Sequence, residues 1–217
     1  MKIRIFDFDW TITCQHTFNR THLHAPETNI KAGVTKLFIH DETHIAAIAS
    51  YHNDPDYIKR YIEVILNTPL TLRERIDTYA DNVLSVYNIQ SMPMPLIIST
   101  VKGDEFNARV ARLKVTGKNA QIGQVLQYLE TVEKIPLAEA VEVEFYDDDE
   151  KNYREACEMT RHFSFTAFYI DRQNQAELVI KESKRAGLLC APQLEPAVED
   201  EVIAGDIDEI KSPSLSG

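Results

Sequence analysis

Two aspartates lie two residues apart near the start of the chain, in the segment 7–11 (DFDWT), directly after an apolar run. Alternate residues of an extended chain point to the same side, so the carboxylates of Asp7 and Asp9 can face one site. One carboxylate can then act as a nucleophile while its neighbour donates and accepts protons. The pair therefore suits a reaction that needs a nucleophile and a separate acid/base group.

Further polar residues stand at the ends of other predicted elements. Ser50 ends an apolar run that predicts a buried strand, and three aspartates at 147–149 follow another apolar run. Lys118 precedes the segment with the clearest helical pattern of the chain. Acidic groups gathered at one site repel each other unless a cation neutralises them, and oxygen ligands suit Mg²⁺. A serine hydroxyl and a lysine ammonium suit the oxygens of a phosphoryl group. These residue types together predict metal-dependent phosphoryl transfer.

The pattern of apolar residues predicts the elements that must position these groups. The predicted strands are 2–8, 44–50, 96–99, 139–146 and 165–170, and the predicted helices are 27–38, 56–66, 70–86, 119–133, 152–161 and 173–186. Their alternation predicts an α/β fold with a doubly wound, mostly parallel five-stranded sheet. Ligands of such sheets bind beyond the carboxyl ends of the strands, where the polar residues above stand.

The four motifs resemble those of one known family. Segment 7–11 resembles the DxDxT signature of the haloacid dehalogenase (HAD) superfamily, and Ser50, Lys118 and the segment 145–152 (FYDDDEKN) are similar to its second, third and fourth motifs. The motifs occur in the family's order, and the resemblance spans roughly residues 1–186. It implies a HAD-like phosphatase fold that hydrolyses phosphomonoesters.

The resemblance also implies a role for each residue. Asp7 would attack phosphorus and form an aspartyl-phosphate, and Asp9 would protonate the leaving oxygen and then activate water. Mg²⁺ would bind the Asp7 carboxylate, the Asp9 backbone carbonyl and Asp148. Asp147 or Asn152 would contact the waters of the metal or Lys118.

The expected substrate class depends on Trp10 and on the expectation that no large cap domain covers the site. We expect Trp10 and Thr11 to contact the substrate. A large aromatic residue between the second aspartate and the threonine resembles capless members of the superfamily that act on phosphoproteins and phosphotyrosine. The sequence therefore predicts a phosphorylated protein or peptide as substrate, with a small phosphate ester as the alternative.

Two motif assignments have alternatives within the chain. Thr100 also ends an apolar strand and competes with Ser50 as the second motif, and Lys102 competes with Lys118 as the third. We favour Ser50 because the predicted strand 44–50 occupies much of the interval before Thr100. That choice leaves no room for a large cap between the first two motifs.

Composition and charge indicate which classes of partner and which compartment to expect. Lys and Arg number 23 and Asp and Glu 34, a net charge of −11, and no basic stripe is present, so nucleic acid is not expected as a partner. No apolar run is long enough to span a membrane. Three cysteines without a CxxC pair predict a reducing compartment. We expect a cytoplasmic monomer.

The last 27 residues differ from the rest of the chain. Residues 191–217 hold seven acidic residues and one lysine, with three prolines in total. We expect a phosphatase domain over 1–190 and an acidic, disordered tail over 191–217. The glutamate cluster resembles the C-terminal signals of type IV-secreted effectors of intracellular bacterial pathogens, which implies translocation into a host cell.

Two functions outside the phosphatases remain as rivals. A signalling receiver module also combines acids, a hydroxyl, a lysine and Mg²⁺, but it carries its acceptor aspartate on the third strand. Here the third predicted strand ends in Ser99 and Thr100, without an aspartate. A HAD-like fold that only binds partners would not need all the catalytic side chains that this chain carries.

Overall fold

The apolar runs form one sheet of eight strands in the computed structural model, which describes residues 1–17, 25–78, 82–90, 92–103, 118–137, 141–158 and 162–187. The strands are β1 (Lys2–Phe6), β2 (His44–Ala49), β3 (Leu70–Asp77), β4 (Asn82–Ile89), β5 (Leu96–Val101), β6 (Glu142–Asp147), β7 (Ser164–Ile170) and β8 (Ile180–Arg185). The helices are α1 (Val34–Leu37), α2 (Pro55–Leu66), α3 (Asn119–Thr131) and α4 (Glu150–Cys157), with a 3-10 helix at Pro26–Thr28.

The strand order is β3-β4-β5-β2-β1-β6-β7-β8. The five central strands, from β5 to β7, run parallel to their neighbours, whereas β3, β4 and β8 pair antiparallel at the two edges. The predicted α/β fold with a mostly parallel core is confirmed. The predicted number of strands is corrected from five to eight.

Both faces of the central sheet are buried. Ile3 and Ile5 of β1 pack with Ile122 and Leu129 of α3 on one face. Phe6 of β1 packs on the other face in a cluster that includes the apolar residues of α2. A strand covered on both faces is apolar without alternation, which explains why β2 (HIAAIA) was recognisable in the sequence.

The predicted helix 70–86 is wrong, because this segment forms the hairpin of β3 and β4. The segment 83–89 (VLSVYNI), which begins inside the predicted helix and forms most of β4, is rich in β-branched and aromatic residues that favour a strand. Thr78 N–H donates to the Asn82 carbonyl (2.9 Å) and closes the hairpin. Antiparallel pairing of β3 with β4 thus overrides the helix propensity of the Leu, Arg and Glu residues in β3.

The predicted helix 173–186 is also wrong, because its last part is the edge strand β8. All six residues of β8 (IKESKR) are exposed, so a helix here would have had no apolar face to bury. The backbone pairs with β7 instead.

The predicted helix 27–38 is reduced to the 3-10 helix and the single turn of α1. The chain between them is drawn towards the loop that follows β1. Lys31 N–H donates to the Ile12 carbonyl (2.9 Å), and Thr13 and Ile30 form an isolated bridge. Gly33 lies at φ +87°, a conformation that ends this extended segment and favours glycine.

In the described part of the chain every named strand belongs to this sheet. Residues 25–43 contribute only the 3-10 helix and α1, and residues 50–103 contribute α2, the hairpin and β5. No described helix is long and apolar enough to cross a membrane. The predicted tail, 191–217, lies outside the described residues.

Candidate active site

The carboxyl ends of four parallel strands and the start of α3 surround a pocket of about 310 Å³. It is lined by Asp7, Asp9, Trp10, His16, Ser50, Tyr51, His52, Lys118, Asp148, Asp149, Asn152 and Arg172. The strands involved are β1, β2, β6 and β7. The site therefore lies where the fold class predicts a ligand to bind.

Lys118 joins two of the aspartates. It lies at the N-cap of α3, only 3% exposed, and its ammonium forms ion pairs with Asp7 Oδ1 and with Asp147 Oδ2, the latter at 3.1 Å. Burial lowers the pKa of Lys118, but the charges of Asp147 and Asp7 outweigh burial and hold the pKa above its ordinary value. Lys118 is therefore a permanent cation beside the Asp7 carboxylate.

Asp7, Asp147 and Asp148 form a buried cluster in which one oxygen of each lies within 4.8 Å of the others. Burial is the main cause that raises the pKa of Asp7 and of Asp147 to about 7 and the pKa of Asp148 to about 6. One buried lysine cannot neutralise three carboxylates. The cluster can hold a metal ion, and its oxygen-only donors are those that hard divalent cations favour.

The cluster differs in one respect from the ligand set that the resemblance implies. Asp147, expected to support the metal indirectly, has an oxygen as close to the cluster as those of Asp7 and Asp148. Its carboxylate also accepts from the Asn152 amide at 3.2 and 3.3 Å and from the Asp149 N–H at 2.8 Å. Asp147 is thus in contact with both Asn152 and Lys118, besides being a member of the cluster.

The carboxylate of Asp9 is held by residues that come later in the chain after β1. Its Oδ1 accepts from the N–H and from the hydroxyl of Thr17, both at 2.7 Å, while its Oδ2 lies 3.9 Å from His16 Nε2. Two hydrogen bonds on one oxygen leave the other oxygen for the pocket. The carboxylate of Asp9 lies outside the three-aspartate cluster.

The sharp turn of this loop sends Trp10 and Thr11 in different directions. Trp10 has φ +61°, unusual for a bulky residue, and its N–H donates to Thr13 Oγ1 at 3.0 Å. Its ring lines the pocket. Thr11, expected to contact the substrate, is fully buried and does not line the pocket; its hydroxyl lies 3.4 Å from Asp148 Oδ1 instead.

The structure distinguishes between the alternative residues for the second motif and between those for the third motif. Ser50 follows β2 and lines the pocket, and its Oγ accepts the His52 N–H at 3.1 Å, which leaves its own O–H to donate. Thr100 is fully buried within β5 and does not line the pocket. Lys102 is exposed and pairs with Asp77 at 2.6 Å. The geometry therefore favours Ser50 and Lys118.

Sequence reasoning missed several residues of the pocket wall, above all Arg172. Its guanidinium carbon lies 5.1 Å from the centre of the Trp10 ring, and its Nε lies 3.7 Å from Asp148 Oδ2. His52 and Tyr51 directly follow Ser50. A usable signal existed, because Arg172 stands two residues after β7, at the same edge of the sheet as the other strand ends.

No protein-family model, curated protein or solved structure matches this chain.

Proposed function

We propose that the protein is a Mg²⁺-dependent phosphatase that hydrolyses phosphomonoesters through an aspartyl-phosphate on Asp7. The observation that carries this proposal is the convergence of Asp7, Lys118, Asp147 and Asp148 in one cluster, of which all but the fully buried Asp147 line the pocket. A nucleophilic carboxylate, a fixed cation and a hard-metal ligand set are the groups that phosphoryl transfer needs. The resemblance of the four motifs to those of the HAD superfamily supports the same chemistry.

The proposed reaction has two steps. In the first, a carboxylate oxygen of Asp7 bonds to phosphorus while the bond from phosphorus to the ester oxygen breaks, and Asp9 gives its proton to that oxygen. In the second, Asp9 takes a proton from a water molecule whose oxygen attacks phosphorus, and the bond to Asp7 breaks to release phosphate.

The remaining groups stabilise the charge of the phosphoryl oxygens. Lys118 and the Ser50 hydroxyl are placed to donate to them, and both are held in place: Lys118 by Asp7 and Asp147, Ser50 by the His52 N–H. Mg²⁺, when bound, would supply a dication that neutralises the aspartate cluster and polarises the phosphoryl group. Asp7, Asp147 and Asp148 are the residues that would hold it.

The substrate proposed first is a phosphate on a protein or peptide side chain, with phosphotyrosine foremost. Its support is access, because the described segments on either side of the pocket contribute no separate cap domain. The Arg172 guanidinium covers one face of the Trp10 ring, so a phenol ring could stack only on the other face unless Arg172 moved. The pocket volume of about 310 Å³ also suits a small phosphate ester, which is the alternative substrate class.

The first test is turnover of an aryl phosphate. We expect hydrolysis of phenyl phosphate with Mg²⁺, complete loss in excess EDTA, and complete loss in D7N, because an amide cannot attack phosphorus. The matched control is E150Q, which removes an exposed acid at the start of α4. Steady-state comparison of phosphotyrosine and phosphoserine peptides with sugar phosphates and nucleotides then decides the substrate class. A small metabolite with kcat/KM well above every phosphopeptide would favour the alternative.

A further inference from the structure

Arg172 is a cation at the pocket mouth that the proposed chemistry does not use. Its side chain is 55% exposed, whereas Lys118, the other permanent cation among the described residues that line the pocket, is 3% exposed. The ion pair of Arg172 with Asp148 is 3.7 Å long, beyond hydrogen-bond length. Its N–H groups can therefore still serve a ligand.

Trp10 holds this guanidinium in one place. The ring lies under Arg172 at 5.1 Å, and the backbone of Trp10 is itself fixed by its turn and by its bond to Thr13. A guanidinium stacked on an aromatic ring stays planar and loses little freedom when it binds an anion. The pocket mouth thus carries a preorganised donor for a carboxylate or a phosphate.

The reacting phosphoryl group has enough partners without Arg172. It has three equatorial oxygens, over which its charge is spread. In the proposed reaction, Lys118, the Ser50 hydroxyl and the metal would provide three interactions with these oxygens, close to Asp7. Arg172 is additional to this set and lies nearer the solvent, where the rest of the substrate would extend.

We propose that Arg172 determines specificity by binding a second anionic group of the substrate, adjacent to the phosphate that is hydrolysed. This inference rests on the proposed phosphatase function. It names the substrate class as phosphomonoesters that carry a further carboxylate or phosphate, such as a phosphorylated side chain next to an acidic residue. Arg172 exchanges its long contact with Asp148 for a shorter, bidentate contact with that group.

The test uses two stable phosphonates that differ by one anionic group. Benzylphosphonate and 4-carboxybenzylphosphonate are titrated by calorimetry into the Mg²⁺-loaded protein. We expect the carboxylate to improve binding about tenfold, as one exposed charge-assisted contact does. Trp10 is the single tryptophan of the chain, so its fluorescence should change more with the carboxylated compound as Arg172 shifts on the ring.

Three variants assign the effect to Arg172. In R172A the tenfold preference should fall below twofold, and in R172K it should be intermediate, because lysine keeps the charge but not the bidentate fork. The matched control is R154A, which removes an exposed arginine of α4 and should keep the preference. Equal affinities in the wild type, or a preference that survives in R172A, would overturn the inference.

Phenyl phosphate turnover by the same preparations separates this inference from the proposed function. Turnover without any preference between the phosphonates would reject the role of Arg172 and leave the phosphatase standing. A preference that depends on Arg172 without any turnover would support anion recognition and reject the phosphatase.

Discussion

At the residue scale, the two aspartates of segment 7–11 have different surroundings and therefore different proposed roles. Asp7 is buried against Lys118 and belongs to the aspartate cluster, as a nucleophile beside a metal must. Asp9 is held by Thr17 and keeps one carboxylate oxygen for the pocket. The proposed assignment of Asp7 as nucleophile and Asp9 as acid/base group rests on these contacts.

The role of Asp9 can be checked with substrates of different leaving-group pKa. D9N should lower kcat by about 10²–10⁴-fold for alkyl phosphates, because the ester oxygen then leaves without a proton. The loss should shrink for 4-nitrophenyl phosphate, whose leaving group needs little protonation. The measurement is kcat across a series of aryl and alkyl phosphates, and equal losses across the series would show that Asp9 is not the general acid.

Substitution of Asn152 should lower the affinity for Mg²⁺ more than it lowers kcat. N152A removes both amide contacts to Asp147 and leaves this carboxylate held only by Lys118 and the Asp149 N–H, so its position in the cluster is less fixed. We expect Mg²⁺ affinity to fall about 10–100-fold, with kcat at saturating Mg²⁺ less affected. Calorimetric titration of Mg²⁺ measures this, with N88A, an exposed position of β4, as the control. An unchanged Mg²⁺ affinity would contradict the role of Asp147 in the cluster.

Most of the residues that the sequence predicted for the site do line the pocket. Asp7, Asp9, Ser50, Lys118 and Asp148 line it, because parallel strands bring their carboxyl ends to one edge of the sheet. The sequence could not show which way the loop after β1 turns, so Thr11 was expected in the pocket but lies behind it. Arg172 was missed, although its place two residues after β7 puts it at the same edge of the sheet as the other strand ends.

At the scale of helices and strands, pairing with a neighbouring strand determines the secondary structure of segments whose local propensity does not determine it. Segments 70–86 and 173–186 contain many helix-forming residues, yet both supply edge strands of the sheet. An edge strand needs only one partner and tolerates charged residues, so its sequence lacks the apolar run that identifies a central strand. The central strands, α2 and α3 were predictable because each buries a regular apolar surface.

His40 connects two of these elements and gives the fold a pH dependence. Its Nδ1 accepts the Ala46 N–H of β2 at 3.1 Å, and its Nε2 lies 3.0 Å from the Met94 carbonyl, just before β5. Burial is the main cause that lowers the pKa of His40. The neutral ring therefore donates from Nε2 and accepts at Nδ1, and protonation would break the contact with β2.

The sign of this effect follows from the lowered pKa. As the pH falls below about 6.5, the unfolded chain takes up a proton that the folded protein resists, so stability is lost, by at most about 1.4 kcal/mol per pH unit. In H40Q this part of the loss should vanish, although the variant should be less stable at pH 7. Urea unfolding between pH 7.5 and 5 measures it. H162Q, an exposed position, should keep the wild-type slope; an equal slope in H40Q would contradict the role of His40.

At the scale of the whole molecule, charge is unevenly distributed along the chain. Segment 191–217 carries seven acidic residues and one lysine. Deletion of this segment should leave turnover of phenyl phosphate within about twofold, because the residues of the candidate site all lie before residue 173. If the segment is a translocation signal, as its resemblance implies, deletion should abolish delivery in a type IV secretion reporter assay. Delivery of the truncated protein would reject the signal.

If the proposed reaction is correct, Asp7 becomes phosphorylated during turnover. D9N should form the aspartyl-phosphate from 4-nitrophenyl phosphate but hydrolyse it slowly, because water activation needs Asp9. Mass spectrometry of acid-quenched D9N with Mg²⁺ should therefore find one added phosphoryl group on the peptide that contains Asp7, and none with EDTA or in the double variant D7N/D9N. Turnover by the wild type in EDTA, or a phosphoryl group carried by another residue, would contradict the account.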